Sequence, residues 1–456
     1  MSRDAMARQV DRSRAHNAYV AAYEAFAVNG AGASPEWLKG KRAAAIARFA
    51  DAGFPSTRDE AWRFTDVKPL VESVFEVLGG ASTVDAVALS PHVVPDETSA
   101  VLAVVNGRVA PHLSRMPSFP GGAVVMGLRE ALDQAHPAVE QHLGTSGADL
   151  RTPFGALNTA FLSDGAFVFV PRGVRLSVPI QVLFFTDVGS AGDNGLVFPR
   201  LLVVVEDEAE ATVVETHAGG DGDRYWTSPV SEYVVGVNAQ LDSYRIQRDS
   251  GNAYHTAVTH SRLARDARCA MVTFSFGAAL SRQDLVSVLG GEGAQSTLNG
   301  LSGLGGRQHV DYHTTLDHAQ PHCNSWEYFN GIFGDRARGV FSGRIIVRQG
   351  AQKTDSKQTN NNLLLSASAR ADSQPQLEIH ADDVRCTHGA TLGPIDETHL
   401  FYLRSRGLTL ADARKLLTYG FASEILNSVR YQRLRDWLDV LVQQRLAALT
   451  GDTATA

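Results

Sequence analysis

Cys386 and His388 stand two positions apart in the segment RCTHGATLGPID, residues 385–396. In a β-strand, side chains at i and i+2 point to the same face, so a sulfur and an imidazole nitrogen would be presented together. This is the chemistry of a soft-metal or sulfide-accepting site. The competing interpretation is a small buried hydrophobe beside a hydrogen-bonded turn residue.

Two residues do not complete a tetrahedral metal site, which normally takes four ligands. The other cysteines, Cys269 and Cys323, stand alone in the sequence. If the pair binds metal, the missing ligands come from folding or from a second chain.

A second group of possible ligands lies in DYHTTLDHAQPHCNSWEYFNG, residues 311–331, which contains His313, His318, His322 and Cys323. Its spacing matches neither H-E-x-x-H nor C-x2-C. His313 and His318 are five positions apart, which places them on opposite faces of a strand. The alternative is a strand whose polar residues are satisfied by hydrogen bonds.

Motifs for phosphate binding or catalysis are missing from the sequence. The glycine-rich stretch LNGLSGLGGRQH, residues 298–309, lacks the P-loop pattern, and Gln308 replaces the last glycine of G-x-G-x-x-G. No G-x-S-x-G elbow and no spaced pair of carboxylates stands out. The sequence therefore predicts a protein that is not itself an enzyme.

The composition is that of an ordinary globular protein, with 44% apolar and 20% charged residues among 456. A net charge of -7 argues against a nucleic-acid partner bound by electrostatics. Three cysteines are too few for a disulfide framework, which predicts a reducing, cytoplasmic location. The first twenty residues do not resemble a secretory signal, and no apolar run approaches the ~18 residues of a membrane helix.

The elements that would position these residues divide the chain into three regions. Helical patterns occupy about 15–64, with Ser34 as a possible N-cap and Gly53 as a stop. Residues 70–150 are mixed, and about 160–384 consist of short β-branched runs broken by Gly, Pro and Asp. These strands fit a sandwich, a barrel or a solenoid, and we find no fixed-length repeat that would select the solenoid.

Helical periodicity returns after Arg406, with Thr409 as candidate N-cap and Asp412 three residues later. An apolar stripe then runs from Leu410 to Leu441. Such a stripe either packs onto its own domain or forms a docking surface for a partner.

Three segments together resemble the SufB/SufD family of iron-sulfur cluster assembly proteins. They are GFPSTRDEAWRFTDV (53–67), ARGVFSGRIIVRQGAQKTDSKQTNNNLLLS (337–366) and LEIHADDVRCTHGATLGPIDETHLFYLRSRGL (377–408). Where this chain has THGAT, SufB looks more like EHEAT, so Thr387 and Gly389 make the chain similar to SufD.

The resemblance implies a mainly β fold: a right-handed parallel β-helix core flanked by N- and C-terminal α-helical regions. We accordingly expect an N-terminal helical and mixed region at 1–150, the β-helix core at 151–395, and a C-terminal helical region that docks SufC at 396–456. We further expect residues 353–366 to contribute strands to the pairing with SufB.

The same resemblance implies a non-catalytic scaffold subunit of a SufBCD complex, with SufB and the SufC ATPase as partners and a possible homodimer without SufB. His388 would face SufB at a shared site for a nascent Fe-S cluster, with Cys386 as its neighbour. No cofactor would be tightly bound by the isolated chain. The alternatives are a β-helix carbohydrate-active enzyme and a self-sufficient metalloprotein that uses the His313–Cys323 segment.

Overall fold

A computed structural model of the chain describes residues 16–28, 34–73, 75–79, 84–145, 147, 151–189 and 194–450. The α-helices are α1 (16–28), α2 (Glu36–Ala52), α3 (Lys68–Glu72), α4 (Ala86–Leu89), α5 (Leu128–Asp133), α6 (Pro137–His142), α7 (Pro153–Ala160), α8 (Glu397–Ser405), α9 (Leu410–Leu426) and α10 (Gln432–Thr450). None of these helices has the length and apolar character needed to cross a bilayer.

The strands fall into a short N-terminal group and a long regular series. The first group is β1 (Glu76–Val77), β2 (Ala100–Val105), β3 (Arg108–Val109), β4 (Val124–Gly127), β5 (Ala166–Val170), β6 (Ile180–Thr186), β7 (Gly195–Val197), β8 (Arg200–Val205), β9 (Glu210–Gly219), β10 (Tyr225–Thr227) and β11 (Val230–Val235). The series continues with β12 (Gln240–Arg248), β13 (Tyr254–Leu263), β14 (Arg268–Ser275), β15 (Leu280–Leu289), β16 (Gln295–Leu304), β17 (His309–His318), β18 (Asn324–Phe333), β19 (Arg338–Val347), β20 (Asp355–Leu364), β21 (Arg370–Ile379) and β22 (Arg385–Gly393).

From β12 onward, successive strands alternate between two sheets. The odd-numbered sheet contains the odd-numbered strands from β11 to β21 and has the order β21-β19-β17-β15-β13-β11-β8-β5-β4. The even-numbered sheet contains the even-numbered strands from β12 to β22 and has the order β22-β20-β18-β16-β14-β12-β9-β6-β2-β3. Each strand pairs in parallel with the strand two positions along the chain. The core is therefore a β-solenoid of about seven turns flanked by helices, as the family resemblance predicted.

The coils differ in length, which explains why no fixed repeat is visible in the sequence. Along one sheet, Tyr254 lies opposite Leu280, Leu280 opposite His309, His309 opposite Arg338, and Arg338 opposite Arg370. These steps along the chain are 26, 29, 29 and 32 residues. The differences in coil length lie in the turns, so the paired strands stay in register.

The N-terminal region packs on the outside of the odd-numbered sheet through aromatic residues. The Trp62 ring is buried, and the Arg282 guanidinium lies 3.6 Å from its centre. Arg282 is held in turn by Asp311, at 2.8 Å.

Helix α2 ends at Ala52, with Gly53 as its C-cap residue as predicted, but its N-cap position is Pro35 rather than Ser34. Pro35 supplies no side-chain acceptor, so the helix starts one residue later than the capping pattern indicated.

Helices α9 and α10 cover the outer face of the even-numbered sheet. Thr409 caps α9 as predicted, accepting a hydrogen bond of 3.1 Å from the Asp412 backbone N–H. Most of the predicted apolar stripe is buried against the solenoid, including Ile425, Leu434 and Leu438. The stripe therefore belongs mainly to the hydrophobic core, and only some of its residues, such as Leu410 and Leu416, remain exposed.

Candidate functional site at the end of the solenoid

Strand β22 carries both residues of the predicted pair and is the terminal strand of its sheet. Within the described residues it pairs along one side only, with β20. Cys386 lies opposite Ser356, and His388 lies opposite Gln358. Ser356 and Gln358 are each 1% exposed, so their side chains point into the solenoid. Registered side chains in a parallel sheet share a direction, so Cys386 and His388 also face inward, at the open end.

The free edge of β22 presents a row of backbone donors. The Arg385 N–H donates to the Thr354 carbonyl of β20, at 2.8 Å. In a parallel ladder alternate residues bond to the same neighbour, so the odd-numbered N–H groups of β22 face β20. The even-numbered ones, including those of His388 and Ala390, face away from it. An unpaired edge of this kind is a template for a strand from another chain.

The neighbouring terminal strand, β21, has an interrupted edge. The Arg370 N–H donates to the Ala337 carbonyl, at 3.1 Å, so odd-numbered residues of β21 face outward. One of these outward positions is Pro375, which has no N–H to donate. Proline at an exposed edge commonly prevents the strand from pairing with another strand. The continuous free edge at this end of the molecule is that of β22.

Cys386 is half-buried and packs against the hydrophobic core of the solenoid. Burial, and then the negative charge of Asp355, raise the pKa of its thiol. The thiol is therefore protonated at neutral pH in the isolated chain. Any role as a ligand requires a cation or a partner chain to stabilise the thiolate.

His388 is exposed, but the residues beneath it are buried and polar. Gln358 lies directly below it and donates its side-chain N–H to Glu327, which is 2% exposed. The Oε1 atom of Gln358 is buried and has no hydrogen-bond partner among the described residues. Burial raises the pKa of Glu327 to about 7, although hydrogen bonds from Gln358 and Thr314 act in the opposite direction.

Sequence reasoning missed Glu327 and Gln358 because they are defined by strand register. The segment NSWEYFNGIF places Trp326 outward, 41% exposed, and Glu327 inward. Hydropathy alone assigns the opposite orientation. The signal that would have located both residues is the 31-residue step that sets Glu327 opposite Gln358.

The alternative ligand cluster is dispersed by the fold. His318 points inward and contacts Ser325, at 2.9 Å, and burial lowers its pKa to about 4. His313 lies beside Asp311 on the outside, at 3.2 Å, and His322 is exposed in a turn. Cys323 is buried and donates to the Gly291 carbonyl. Among the described residues there is no group of three or more His, Cys, Asp or Glu side chains that could bind a metal ion.

A buried charged network lies in the middle of the solenoid and was also missed. Both carboxylate oxygens of Glu215 accept from Arg245, at 3.0 Å, while His217 and Tyr233 contact the same carboxylate at 2.7 and 3.0 Å. Burial acts to raise the pKa of Glu215, but Arg245 and His217 outweigh it and hold this pKa well below its ordinary value. The network is a compensated internal ion pair, far from the exposed edge.

Comparison with known proteins agrees with the motifs at this edge. The sequence profile described as "SUF system FeS cluster assembly, SufBD core domain" matches residues 188–421, and that of the "SufBD protein N-terminal region" matches residues 13–182. The chain belongs to the SufBD family. Its assignment confirms the resemblance noted in the three quoted segments.

Members of the SufBD family match nearly the whole chain. An iron-sulfur cluster assembly SufBD family protein of Synechocystis is 35% identical over 416 residues, covering 90% of this chain and 91% of the relative. The iron-sulfur cluster assembly protein SufD of Escherichia coli is 32% identical, covering 86% and 90%. SufD of Bacillus subtilis is 25% identical, covering 90% and 94%.

Proposed function

We propose that this chain is a SufD-type, non-catalytic scaffold subunit that supplies half of an iron-sulfur cluster assembly site. The observation that carries the proposal is the exposed His388 on the free edge of β22. A second chain that extends this edge would bring its own side chains next to His388. The nascent cluster is then the cargo of a site completed by two chains, with Cys386 as a further possible ligand.

A SufB-type protein is the proposed partner at this edge. The family resemblance supports this choice, and SufD is the name of the Escherichia coli and Bacillus subtilis relatives. The Synechocystis and Escherichia coli relatives are both named as iron-sulfur cluster assembly proteins, which favours a scaffold over a β-helix carbohydrate-active enzyme. Without a SufB-type protein, the same edge is available to a second copy of this chain.

The proposed site for a SufC-type ATPase lies on α8 and the start of α9. Phe401 and Tyr402 on α8 are 75% and 57% exposed, and Leu416 on α9 is 49% exposed. Large apolar side chains clustered at a surface are typical of a protein interface. The buried part of the stripe is not available for docking, so the proposed interface is smaller than the sequence indicated.

The decisive experiment is co-purification of the full chain with SufB-type and SufC-type proteins, comparing two proline variants. Ala390→Pro removes an outward-facing donor from the edge of β22 and leaves the ladder with β20 intact. Ser373→Pro makes the matching change on β21, whose edge already contains Pro375. We expect Ala390→Pro to weaken binding of the SufB-type chain, and Ser373→Pro to leave it nearly unchanged.

Both variants must first show native thermal unfolding and retain binding of the SufC-type protein. Equal SufB-type binding by the wild type and a folded Ala390→Pro variant would contradict the proposed edge. Failure of the wild-type chain to bind any SufB-type protein would contradict the scaffold proposal as a whole.

A further inference from the structure

An arginine-lined groove lies where three successive turns enter the odd-numbered sheet. Its volume is about 580 Å³, and it is open to solvent. The lining residues are Arg307, His309, Arg336, Arg338, Ala367, Ser368 and Arg370. The groove is separate from the inward-facing pair of β22, because His309, Arg338 and Arg370 begin β17, β19 and β21 of the other sheet.

The strand register stacks the lining residues in two columns. His309 lies opposite Arg338, and Arg338 opposite Arg370. Arg307 and Arg336 each precede the first residue of their strand by two positions, so they form a second column beside the first. Neighbouring strands of a sheet are about 4.8 Å apart, so like charges are held close together. Such stacking is unfavourable unless anions lie between the cations.

The nearby carboxylates neutralise only part of this charge. Asp372 accepts two hydrogen bonds from Arg338, at 2.7 and 3.0 Å. Asp335 accepts from the Gly306 backbone N–H, at 2.7 Å, and so links two of the turns. Within the described residues, the guanidinium groups of Arg307, Arg336 and Arg370 contact no carboxylate or other acceptor.

The groove is built on a rigid frame. Ser366 donates its hydroxyl to the Asp335 carbonyl, and the Arg336 backbone N–H donates to the Gly306 carbonyl, at 2.9 Å. These bonds tie the three turns to one another. His309 contacts Thr65, at 2.9 Å, and burial lowers its pKa to about 4, so it is neutral at pH 7. The positive charge of the groove is therefore that of arginines alone.

We propose that this groove binds a small phosphorylated molecule that carries at least two phosphoryl groups. The planar guanidinium matches phosphate oxygens with two parallel hydrogen bonds, which makes arginine the preferred side chain for this ligand class. The volume lies within the range of small-molecule sites. Arg307 and Arg336 lie one coil apart in the same column, which suits a ligand with adjacent anionic groups.

The test is titration of the full chain with inorganic pyrophosphate, measured by calorimetry and by the shift in thermal unfolding. We expect Arg307→Ala and Arg336→Ala each to weaken pyrophosphate binding by about tenfold or more. Arg336→Lys keeps the positive charge but loses the planar guanidinium and its two parallel hydrogen bonds. We therefore expect its loss of pyrophosphate affinity to be smaller than that of Arg336→Ala. Arg265→Ala is the matched control, because Arg265 is an exposed turn residue outside the groove, paired with Asp266.

Parallel titrations with sulfate, ADP and a glutamate-rich peptide identify the ligand class. Tighter binding of pyrophosphate or ADP than of sulfate, lost in the groove variants and kept in Arg265→Ala, supports the proposal. The proposal is overturned if pyrophosphate produces neither a heat of binding nor a shift in the unfolding temperature. Equal binding by all variants, or binding of the acidic peptide alone, also overturns it.

Discussion

His388 is exposed at the free edge, so its replacement should affect cluster assembly and not folding. We expect His388→Ala to change the free energy of unfolding by less than about 0.5 kcal/mol. Cluster content of the assembled complex should fall sharply, because a ligand or proton acceptor is lost. Iron and sulfide analysis of the purified complex, with its subunit stoichiometry, measures both effects.

Two other variants calibrate this result. His322→Ala removes a histidine that is also exposed but lies in a distant turn, and it should leave cluster content unchanged. Cys386→Ala should cost about 1 kcal/mol of stability, since the side chain is half-buried, and reduce cluster content less than His388→Ala. Full cluster content in a stable, assembled His388→Ala complex would refute the role of this histidine.

Glu327 should make stability depend on pH. Its pKa is raised from 4.5 to about 7 in the folded state, so folding favours the protonated carboxyl. The stability it contributes is fully present below about pH 4.5 and is lost as pH rises through about 7, by about 3 kcal/mol in total. We expect Glu327→Gln, which stays neutral, to lack this loss.

The measurement is urea unfolding of the wild type and Glu327→Gln at several pH values from 5 to 8. The difference in free energy of unfolding between them should shift in favour of the variant as pH rises. Comparing the two proteins cancels contributions from other groups, such as His318. A difference independent of pH would show that Glu327 titrates normally.

The same-face arrangement of Cys386 and His388 was predictable from their spacing, because it depends only on strand geometry. The polar residues beneath them were not predictable in this way. Gln358 and Glu327 come from other coils, 30 and 61 positions earlier than His388. Local patterns do not specify which residues share a column when coil length varies.

At the scale of elements, the C-terminal helices combine folding and docking roles. Truncation before Arg406 removes α9 and α10, which bury apolar residues of the even-numbered sheet, including Ile246 and Phe274. We therefore expect this truncation to yield an unstable or aggregating protein. Solubility and thermal unfolding of the truncated chain measure the effect.

Point variants on α8 separate the two roles. We expect Phe401→Ser with Tyr402→Ser to keep the wild-type unfolding temperature and to weaken binding of a SufC-type ATPase at least about tenfold. Val440→Ser is a suitable control, because Val440 is 52% exposed on α10 and lies outside the proposed interface. Unchanged ATPase affinity in the α8 double variant would place the docking site elsewhere.

Residues 353–366, which the resemblance places in the pairing with SufB, do not lie at the edge of a sheet. Strand β20 lies between β18 and β22, and its backbone is bonded on both sides. The sequence indicated a strand correctly there, since the segment is polar but extended. It did not indicate the order of strands, because an interior strand and a terminal strand have similar local patterns when their inward residues are polar.

At the scale of the whole molecule, a solenoid should show a gradient of protection along its axis. Each coil contacts mainly its neighbours, so the terminal coil opens most easily. We expect fast hydrogen–deuterium exchange at the outward-facing amides of β22, including His388 and Ala390, and the slowest exchange in β14 and β16. Exchange resolved to single amides measures the gradient.

A SufB-type partner should change this gradient selectively. The outward-facing amides of β22 should gain protection when the partner is added, while those of β14 and β16 stay as they are. Uniform protection across all strands, or none at β22, would contradict an interface at this edge.

The long axis of the solenoid is also the direction of its backbone hydrogen bonds, and this determines how it carries a mechanical load. The C-terminal helices brace that axis: Asn330 donates to the Phe421 carbonyl, Arg430 contacts Asp242, and Arg433 contacts Asp96 near the other end. A force or torque applied at α8 is thus shared between the backbone hydrogen bonds of the solenoid and the contacts that the C-terminal helices make along it. We therefore expect the solenoid and the C-terminal helices to resist bending together, so that a displacement of α8 is passed on to β22.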